Sequence, residues 1–555
     1  VKNIWILFLF LGIRVSYAAI HPENYIDGSK LGIDAQKIEQ PTSTLEPMVV
    51  VEDTTLTKPK AAEQYHFILK DISIIGNVSY ANATLQALYQ ELLGTKISLA
   101  QLYDIADKIT KYYVSAGYIF SQAFIPKQEI VNGKAKIEIW EAYTRKIEIK
   151  SALPLSNKMQ QIIHIMENLY PLKIQDLEYY LLALNDLGGI TAYSTLKARE
   201  LHSDSRPGGI DLLLELNNMP NFGELTFNNH GSTYTSENMA AIEYSAYRAL
   251  NRHGIFHIGY SNSPKIKNVN SLNVTYKIPV NIKGTELSAT HNVNQARMQQ
   301  NLLPLQVRTR FQESVIKINH VLLRSRAKTL KVGLGIGHKQ NAMSALSQKI
   351  YANNLDKLSL FSAYDVSDNY GGANLFSLEF HQSLNWLTRK HERDTSSNQQ
   401  IILHQGLNRW NAQLFRLQTV SESWSASFSV AGQYSHFTLP TSEKISYGGQ
   451  VFGRAYDLAI IQGDSGVAGF IELNYKKMVN SHKVPLNLFT FIDGGRIWNH
   501  NKTDIVNNFG RSLGFGFRSQ IAFVKYDFSF SRILKHMDNT LQKPYKFAFN
   551  ISSAF

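Results

Sequence analysis

The first residues that could do chemistry are an arginine set among glycines and a carboxylate further along the chain. In SYGGQVFGRAY, Ser446 to Tyr456, the glycines at 448, 449 and 453 permit a tight, irregular backbone around Arg454. An arginine so placed calls for a fixed carboxylate, because its planar fork pairs bidentately. Asp493, in FIDGG at Phe491 to Gly495, is the candidate. From these stretches alone a Gly-rich surface turn with a solvated arginine is the alternative. Other chemistry finds less support. None of the 17 His forms an HExxH or another close metal pair, and the Ser residues are read as lacking a GxSxG elbow. Zero cysteines remove disulfides, thiolate metal sites and a Cys nucleophile. A Ser/His or Asp/His site spread across strands stays open, but groups such as Glu379 and His381 read more simply as solvated pore-lining side chains. No catalytic residue, metal site or cofactor is assigned, and the chain is not read as an enzyme.

The whole chain limits what can position such a pair. At 555 residues it is long enough for several domains. Aromatics at 11% and charged residues at 18% make it aromatic-rich and charge-poor for a soluble protein. The start places Lys2 before an apolar run, Ile4 to Ile13, with small residues at Ser16 and Ala18, the layout of a signal peptide over 1–18. That run is about half the roughly 20 apolar residues a spanning helix needs. Beyond it no apolar run approaches that length, so membrane insertion must use strands. The net charge of +13 comes without a dense Lys/Arg cluster or a nucleic-acid-binding motif, so no nucleic acid partner is inferred. A cationic lumen or lipopolysaccharide-facing loops account for it as well.

Residues 19–64 carry Pro22, Pro41, Pro47 and Pro59 among polar residues and read as a linker, with one short helix candidate near Lys30 to Gln40. From Phe67 the pattern becomes strand, helix, helix, strand, strand. The first helix starts at Ser79 and carries Leu85, Leu88 and Leu92; the second carries Leu99, Leu102, Ile105, Ile109 and Tyr112. Strands YIFSQAFIP and KAKIEIWEA follow, joined through Asn132-Gly133, a hairpin signal. The same order recurs from Arg145, and SAGYIF at Ser115 is matched by LGGITAY at Leu187. Residues 65–142 and 143–218 are therefore two α+β repeats. Each offers a free strand edge beside a helix, the means by which extended polypeptides are captured, although mere spacers would look alike.

After Asn218 the periodicity is two. In SLNVTYKIP, Leu272, Val274, Tyr276 and Ile278 oppose polar neighbours, and in TLKVGLGIG, Leu330, Val332, Leu334 and Ile336 oppose lysine and glycine. There are about sixteen such runs, at roughly 21 residues per strand plus loop, which suits an even-stranded outer-membrane barrel over 219–555 better than a soluble sandwich. Tyr545, Phe547, Phe549, Ile551 and Phe555 share one face of the last run, and the sequence ends on Phe555. The fold class is two periplasmic α+β domains followed by a 16-stranded antiparallel transmembrane β-barrel. Arg454 falls in a long loop, 439–465, between the eleventh and twelfth predicted strands. In the thirteenth, Phe489, Phe491 and Asp493 oppose Leu488, Thr490 and Ile492, so Asp493 faces the lumen if the latter face lipid.

The paired repeats, the barrel with its terminal Phe555 and the two opening motifs together resemble the two-partner secretion transporters, the haemolysin and filamentous haemagglutinin secretion/activation proteins. The repeats are similar to two POTRA domains. The resemblance implies a loop folded into the lumen, with an Arg-Gly-Tyr/Phe motif meeting an Asp in a Phe/Gly-x-Asp-x-Gly strand motif. Gly453, Arg454, Ala455 and Tyr456 match the first, with Ala455 replacing the second glycine, and Phe491, Asp493 and Gly495 match the second. It further implies residence in the outer membrane of a Gram-negative bacterium, with the POTRA domains in the periplasm and a plug helix within 19–64. The partners implied are outer-membrane lipid, the barrel assembly machinery acting on the terminal strand of Tyr545, Phe547, Phe549 and Phe555, and a secreted exoprotein. That exoprotein would dock unfolded, through its N-terminal secretion domain, on the POTRA domains and cross without ATP. The alternatives are an outer-membrane assembly factor and a substrate-specific porin.

Overall fold

The computed structural model describes residue 59 and residues 62–555, apart from 153, 199–207, 251–252, 266–267, 385–405, 480–483, 501–507 and 536–542. The expected signal peptide, 1–18, and the helix candidate near 30–40 lie outside the described residues.

The first unit runs through β1 (His66–Ile68), β2 (Asp71–Ile75), a one-turn α1 (Asn82–Gln86), β3 (Lys96–Ser98), α2 (Leu99–Ser115), β4 (Gln122–Phe124) and β5 (Lys134–Trp140). Its sheet has the order β2-β5-β4, and β1 pairs with β3 beside it. Ser98 caps α2 in a reciprocal box with Gln101. The helix then buries Leu102, Ile105, Ile109 and Tyr113 against Ile72, Ile74, Ile137 and Ile139. The helix expected from Ser79 is cut short. Ala81 at its start has no side-chain acceptor, the turn ends at Gln86, and a 3-10 turn at Gln90–Leu92 follows before Gly94, at φ +81, sends the chain into β3.

The second unit repeats the order with β6 (Tyr143–Ser151), α3 (Asn157–Glu167), α4 (Ile174–Asn185), β7 (Ile190–Ala198) and β8 (Gly209–Asn218), in a sheet β6-β8-β7. Ile162, Met166, Leu177, Leu181 and Leu184 close over Leu212, Leu214 and Leu216. The two units touch where the Ile174 amide donates to the Gly117 carbonyl (3.0 Å) and the Lys173 ammonium sits 4.9 Å from the Tyr118 ring centre.

The barrel strands are β9 (Phe222–Asn228), β10 (Met239–Ala249), β11 (Gly254–Asn262), β12 (Val269–Pro279), β13 (Thr285–Arg297), β14 (Arg308–Arg324), β15 (Lys328–Ala345), β16 (Gln348–Ser367), β17 (Gly372–Leu384), β18 (Asn408–Thr419) and β19 (Trp424–Tyr434). A hairpin of β20 (Ile445–Tyr447) and β21 (Ile461–Gly463) stands apart from the wall ladder, which resumes with β22 (Ser465–Val479), β23 (Val484–Trp498), β24 (Asn508–Ile521), β25 (Val524–Lys535) and β26 (Tyr545–Ala554). These sixteen wall strands close as one antiparallel barrel. Alternation sorts the side chains. Leu334 and Ile336 stay exposed on the outer face, as lipid requires, and Phe517, Phe528 and Phe547 stack there across three strands.

Closure is made by β26 on β9. The ladder runs from Asn550↔Asn228 to Ala554↔Glu224, and Phe555 and Gly223 exchange two backbone bonds beyond it, at 2.9 and 3.0 Å. No edge is then left unpaired in lipid.

The second α+β unit is seated on three turns at one end of the barrel. The Gly188 amide donates to the His253 carbonyl (3.1 Å), and the His253 ring meets the Ser156 hydroxyl at 2.6 Å. Lys158 donates to the Pro279 carbonyl, Ile282 packs on the unit's core, and Arg324 pairs with Asp186.

Candidate functional site

The segment between β19 and β22 does not stand out in solvent; it turns into the lumen. A 3-10 turn at Thr441–Glu443 leads into β20, and the chain comes back out through β21. Gly448 (φ +108), Gly449 (φ +119) and Gly453 (φ +76) make the reversal. A Cβ on Gly453 would come within 2.7 Å of the Tyr447 ring, and one on Gly495 of the wall within 2.6 Å of the same ring. Tyr447 is thus wedged between a loop glycine and a wall glycine. Ala455 is not among the residues with positive φ and is buried beside Tyr447 and Tyr456, so a small side chain fits where the motif has glycine.

The Arg454 side chain does not pair with Asp493. Its Nη1 reaches the Glu472 carboxylate of β22 at 2.5 Å, and its guanidinium lies 4.0 Å from the Phe491 ring centre and 4.8 Å from that of Phe470. The expected side-chain partner is corrected for a geometric reason. The register pairs Glu472 with Phe491 and Phe470 with Asp493, so Glu472 sits beside the aromatic faces on which the guanidinium lies. Glu472 also pairs with Arg518 at 2.7 Å, and Arg518 continues to Asp527 at 2.9 Å.

Asp493 holds the backbone of the loop instead. Its carboxylate accepts from the Arg454 amide (3.1 Å), the Tyr447 hydroxyl (3.1 Å) and the Ser512 hydroxyl (2.5 Å), and the residue is 3% exposed. Burial first, then the nearby Asp493 carboxylate, push the Tyr447 phenol up, so it remains a donor. Tyr456 finishes the contact. Between β24 and β25 the register skips Leu534, and the Tyr456 hydroxyl enters the gap, donating to the Lys535 carbonyl (2.6 Å) and accepting from the Arg511 amide (2.9 Å). Next to it, Asp457 accepts from the hydroxyl of Ser232 (2.9 Å) and from Thr233.

The arrangement seats a loop against the barrel wall. Four residues of the fastening, Tyr447, Glu472, Ser512 and Asp457, were missed from sequence. Glu472 alone had a signal, since it is a carboxylate on the lumen face of VAGFIELNY, opposite Ile471 and Leu473. Two enzyme-like patterns do not change this reading. GRSLG at Gly510–Gly514 spells a nucleophile elbow, but it lies within β24 rather than at a strand-to-helix turn, and Ser512 already serves Asp493. Ser359, His381 and Glu379 do line up, at 2.8 and 3.1 Å, and Ser359 is 2% exposed. Of the terminal-strand residues, Tyr545 and Phe547 are exposed on the outer face, and the Phe549 carbonyl accepts from the Asn229 amide (3.3 Å) while its amide donates to Asn229 Oδ1 (2.8 Å).

Periplasmic α+β units on a lipid-facing barrel with a loop in its lumen define an outer-membrane transporter. A family model described as haemolysin secretion/activation protein ShlB/FhaC/HecB matches residues 208–517, and a POTRA domain model of the ShlB type matches residues 67–142. The chain belongs to the haemolysin secretion/activation protein family. It is 23% identical over 412 residues to the heme/hemopexin transporter protein HuxB of Haemophilus influenzae, which covers 72% of this chain and 71% of that one. It is 20% identical over 476 residues to the outer membrane transporter CdiB of Dickeya dadantii, covering 84% and 83%. Among solved structures, CdiB from Escherichia coli superposes with a TM-score of 0.73 at 17% identity over 92% of this chain and 94% of that one. CdiB from Acinetobacter baumannii gives 0.65, also at 17%, over 94% and 95%. Those superpositions speak for the fold. The resemblance drawn from the repeats, the barrel and the two motifs therefore holds. With it hold the sixteen-stranded fold and the outer-membrane location.

Proposed function

We propose that this chain exports an unfolded partner exoprotein, which docks through an N-terminal secretion domain on the POTRA units and threads outward through the barrel without ATP. The observation that carries the reading is a pair of sheets whose edge strands β2 and β6 have no strand neighbour on their far side among the described residues, in units that stand at the mouth of a lumen holding its own loop. An open edge gives affinity through main-chain hydrogen bonds with little demand on sequence, which suits an unfolded cargo. A passive porin has no use for the two α+β units ahead of its barrel.

On this reading Arg454, Tyr456 and Asp493 keep the loop in place until cargo arrives. The barrel assembly machinery would act earlier, on the terminal strand that meets β9. The test is to delete residues 67–217 and to measure ion conductance and exoprotein export separately, in vesicles free of nucleotide. Conductance should persist while export is lost; export that survives the deletion, or that requires ATP in the full chain, would overturn the reading.

A further inference from the structure

We propose that the outer face of the barrel carries a binding site for the phosphorylated head group of a lipopolysaccharide, built from Arg496 of β23, Arg511 of β24, and Arg532 and Lys535 of β25. The site goes beyond the export reading and does not depend on it.

These cations point out of the wall. On β23 Phe491, Asp493 and Ile497 are buried, whereas Leu488, Ile492 and Arg496 are exposed. On β24 Phe515, Leu513 and Arg511 are exposed, and on β25 Phe530 and Arg532. The register gathers them. Arg496 lies opposite Phe509, Arg511 opposite Lys535, and Arg532 between Leu513 and Tyr545. Lys535 joins the group because the register skips Leu534. Strict alternation from Arg532 through the buried Ile533 would turn Lys535 inward; the bulge sets it against Arg511 instead, where it is exposed.

Such a cluster calls for an anion. Arg511 and Lys535 sit over the same Phe509 ring, at 4.6 and 5.0 Å from its centre, and Arg532 lies 5.5 Å from the centre of the Tyr545 ring. The rings hold the cations in place and leave their charge uncancelled. Like charges directly opposite one another destabilise a sheet. None of the cluster pairs with a carboxylate among the described residues, whereas on the lumen side Arg454 and Arg518 share Glu472.

Height selects the ligand. The turn between β24 and β25 lies on the side of the α+β units, since the Ala554 amide donates to the Phe523 carbonyl (3.2 Å) beside the start of β9. The cations are at the other ends of these strands and so meet the outer leaflet. Arg511 follows the outward run Phe517, Phe515, Leu513 by one more alternation. At about 3.3 Å per residue that places it roughly 7 Å along the strand from the last lipid-facing leucine, at head-group depth. Arg532 stands in the same relation to Phe530. The outer leaflet of a Gram-negative outer membrane is lipopolysaccharide, whose diglucosamine carries phosphates at that depth, and the arginine fork takes phosphate bidentately.

The test rebuilds the full chain into lipid nanodiscs with one added probe at a time: deep-rough lipopolysaccharide, the same glycolipid with its phosphates removed, phosphatidylglycerol, or inorganic phosphate. Bound probe is counted by native mass spectrometry. Phosphorylated lipopolysaccharide should be retained above the other three. Arg511→Gln combined with Lys535→Gln should weaken its retention about tenfold or more. Lys96→Gln, which removes an exposed charge from β3 far from the wall, should leave it unchanged. Arg496→Gln serves as a second variant should the double one not assemble, and should weaken retention in the same direction. Native retention in both variants would overturn the site. Equal retention of phosphatidylglycerol or of the dephosphorylated glycolipid would overturn it too, as would full competition by inorganic phosphate, which would show a general anion site. Export that falls in the variants while lipopolysaccharide retention stays native would assign the cations to the cargo and likewise overturn the proposal.

Discussion

Arg454 meets two carboxylates in two different ways, and the difference can be measured. Its side chain is bound by Glu472, whereas Asp493 takes its backbone amide. In a double-mutant cycle scored by loop protection from protease, Arg454→Ala with Glu472→Gln should show coupling of about 1–3 kcal/mol, and Arg454→Ala with Asp493→Ala clearly less. Equal coupling in the two cycles would mean that Asp493 is the side-chain partner after all. Asp493→Ala should still loosen the loop by itself. It strands the Tyr447 and Ser512 hydroxyls and the Arg454 amide, and an unsatisfied buried donor costs about 1–3 kcal/mol. Export in cells should fall in Arg454→Ala and in Asp493→Ala while the barrel still assembles; normal export by both would remove the loop from the mechanism.

At the scale of elements, the joint between α3 and the turn before β11 carries a pH dependence. Burial lowers the pKa of His253, and Arg248 and Lys158 lower it further, against a rise from the bond with Gly188. The seated form therefore binds a proton less readily than the free turn does. Seating is complete above the ordinary histidine range and weakens as pH falls below it, since the undocked state takes up the proton. Distances between spin labels on α4 and on the barrel should broaden at pH 5 relative to pH 7.5, and His253→Gln should abolish that difference. Broadening that persists in the variant would assign the effect to another group. The elements themselves were largely readable. Period-two runs gave the wall strands, and helical spacing gave α2, α3 and α4, because each buries one face. The helix expected from Ser79 is shorter than its pattern implies, since Leu85, Leu88 and Leu92 keep helical spacing through a stretch that lacks a capped start.

For the whole molecule, stability in lipid rests on closing the seam. A Cβ on Gly223 would meet the Phe555 ring at 2.4 Å, but that ring is 63% exposed and can swing aside. Deleting Phe555, by contrast, removes both backbone bonds beyond the ladder and leaves polar groups of Gly223 unpaired at the membrane. Gly223→Ala should therefore keep the heat-modified gel transition near that of the native chain, and deletion of Phe555 should lower it. The reverse order would show that ring packing, not backbone pairing, holds the seam.

Local pattern alone determined a great deal here. Alternation fixed which residues face lipid and put Asp493 on the lumen side, the repeated element order identified the paired POTRA units, and the glycines around Arg454 marked a backbone that needs positive φ. Only the tertiary structure decided which carboxylate the guanidinium meets, how the loop is fastened and how the arm is seated. A period of two assigns a side chain to a face but not to a height along the barrel. Height follows from strand register and from where an inward loop comes to rest. Glu472 and the Leu534 bulge that admits Tyr456 became visible once distant strands were paired.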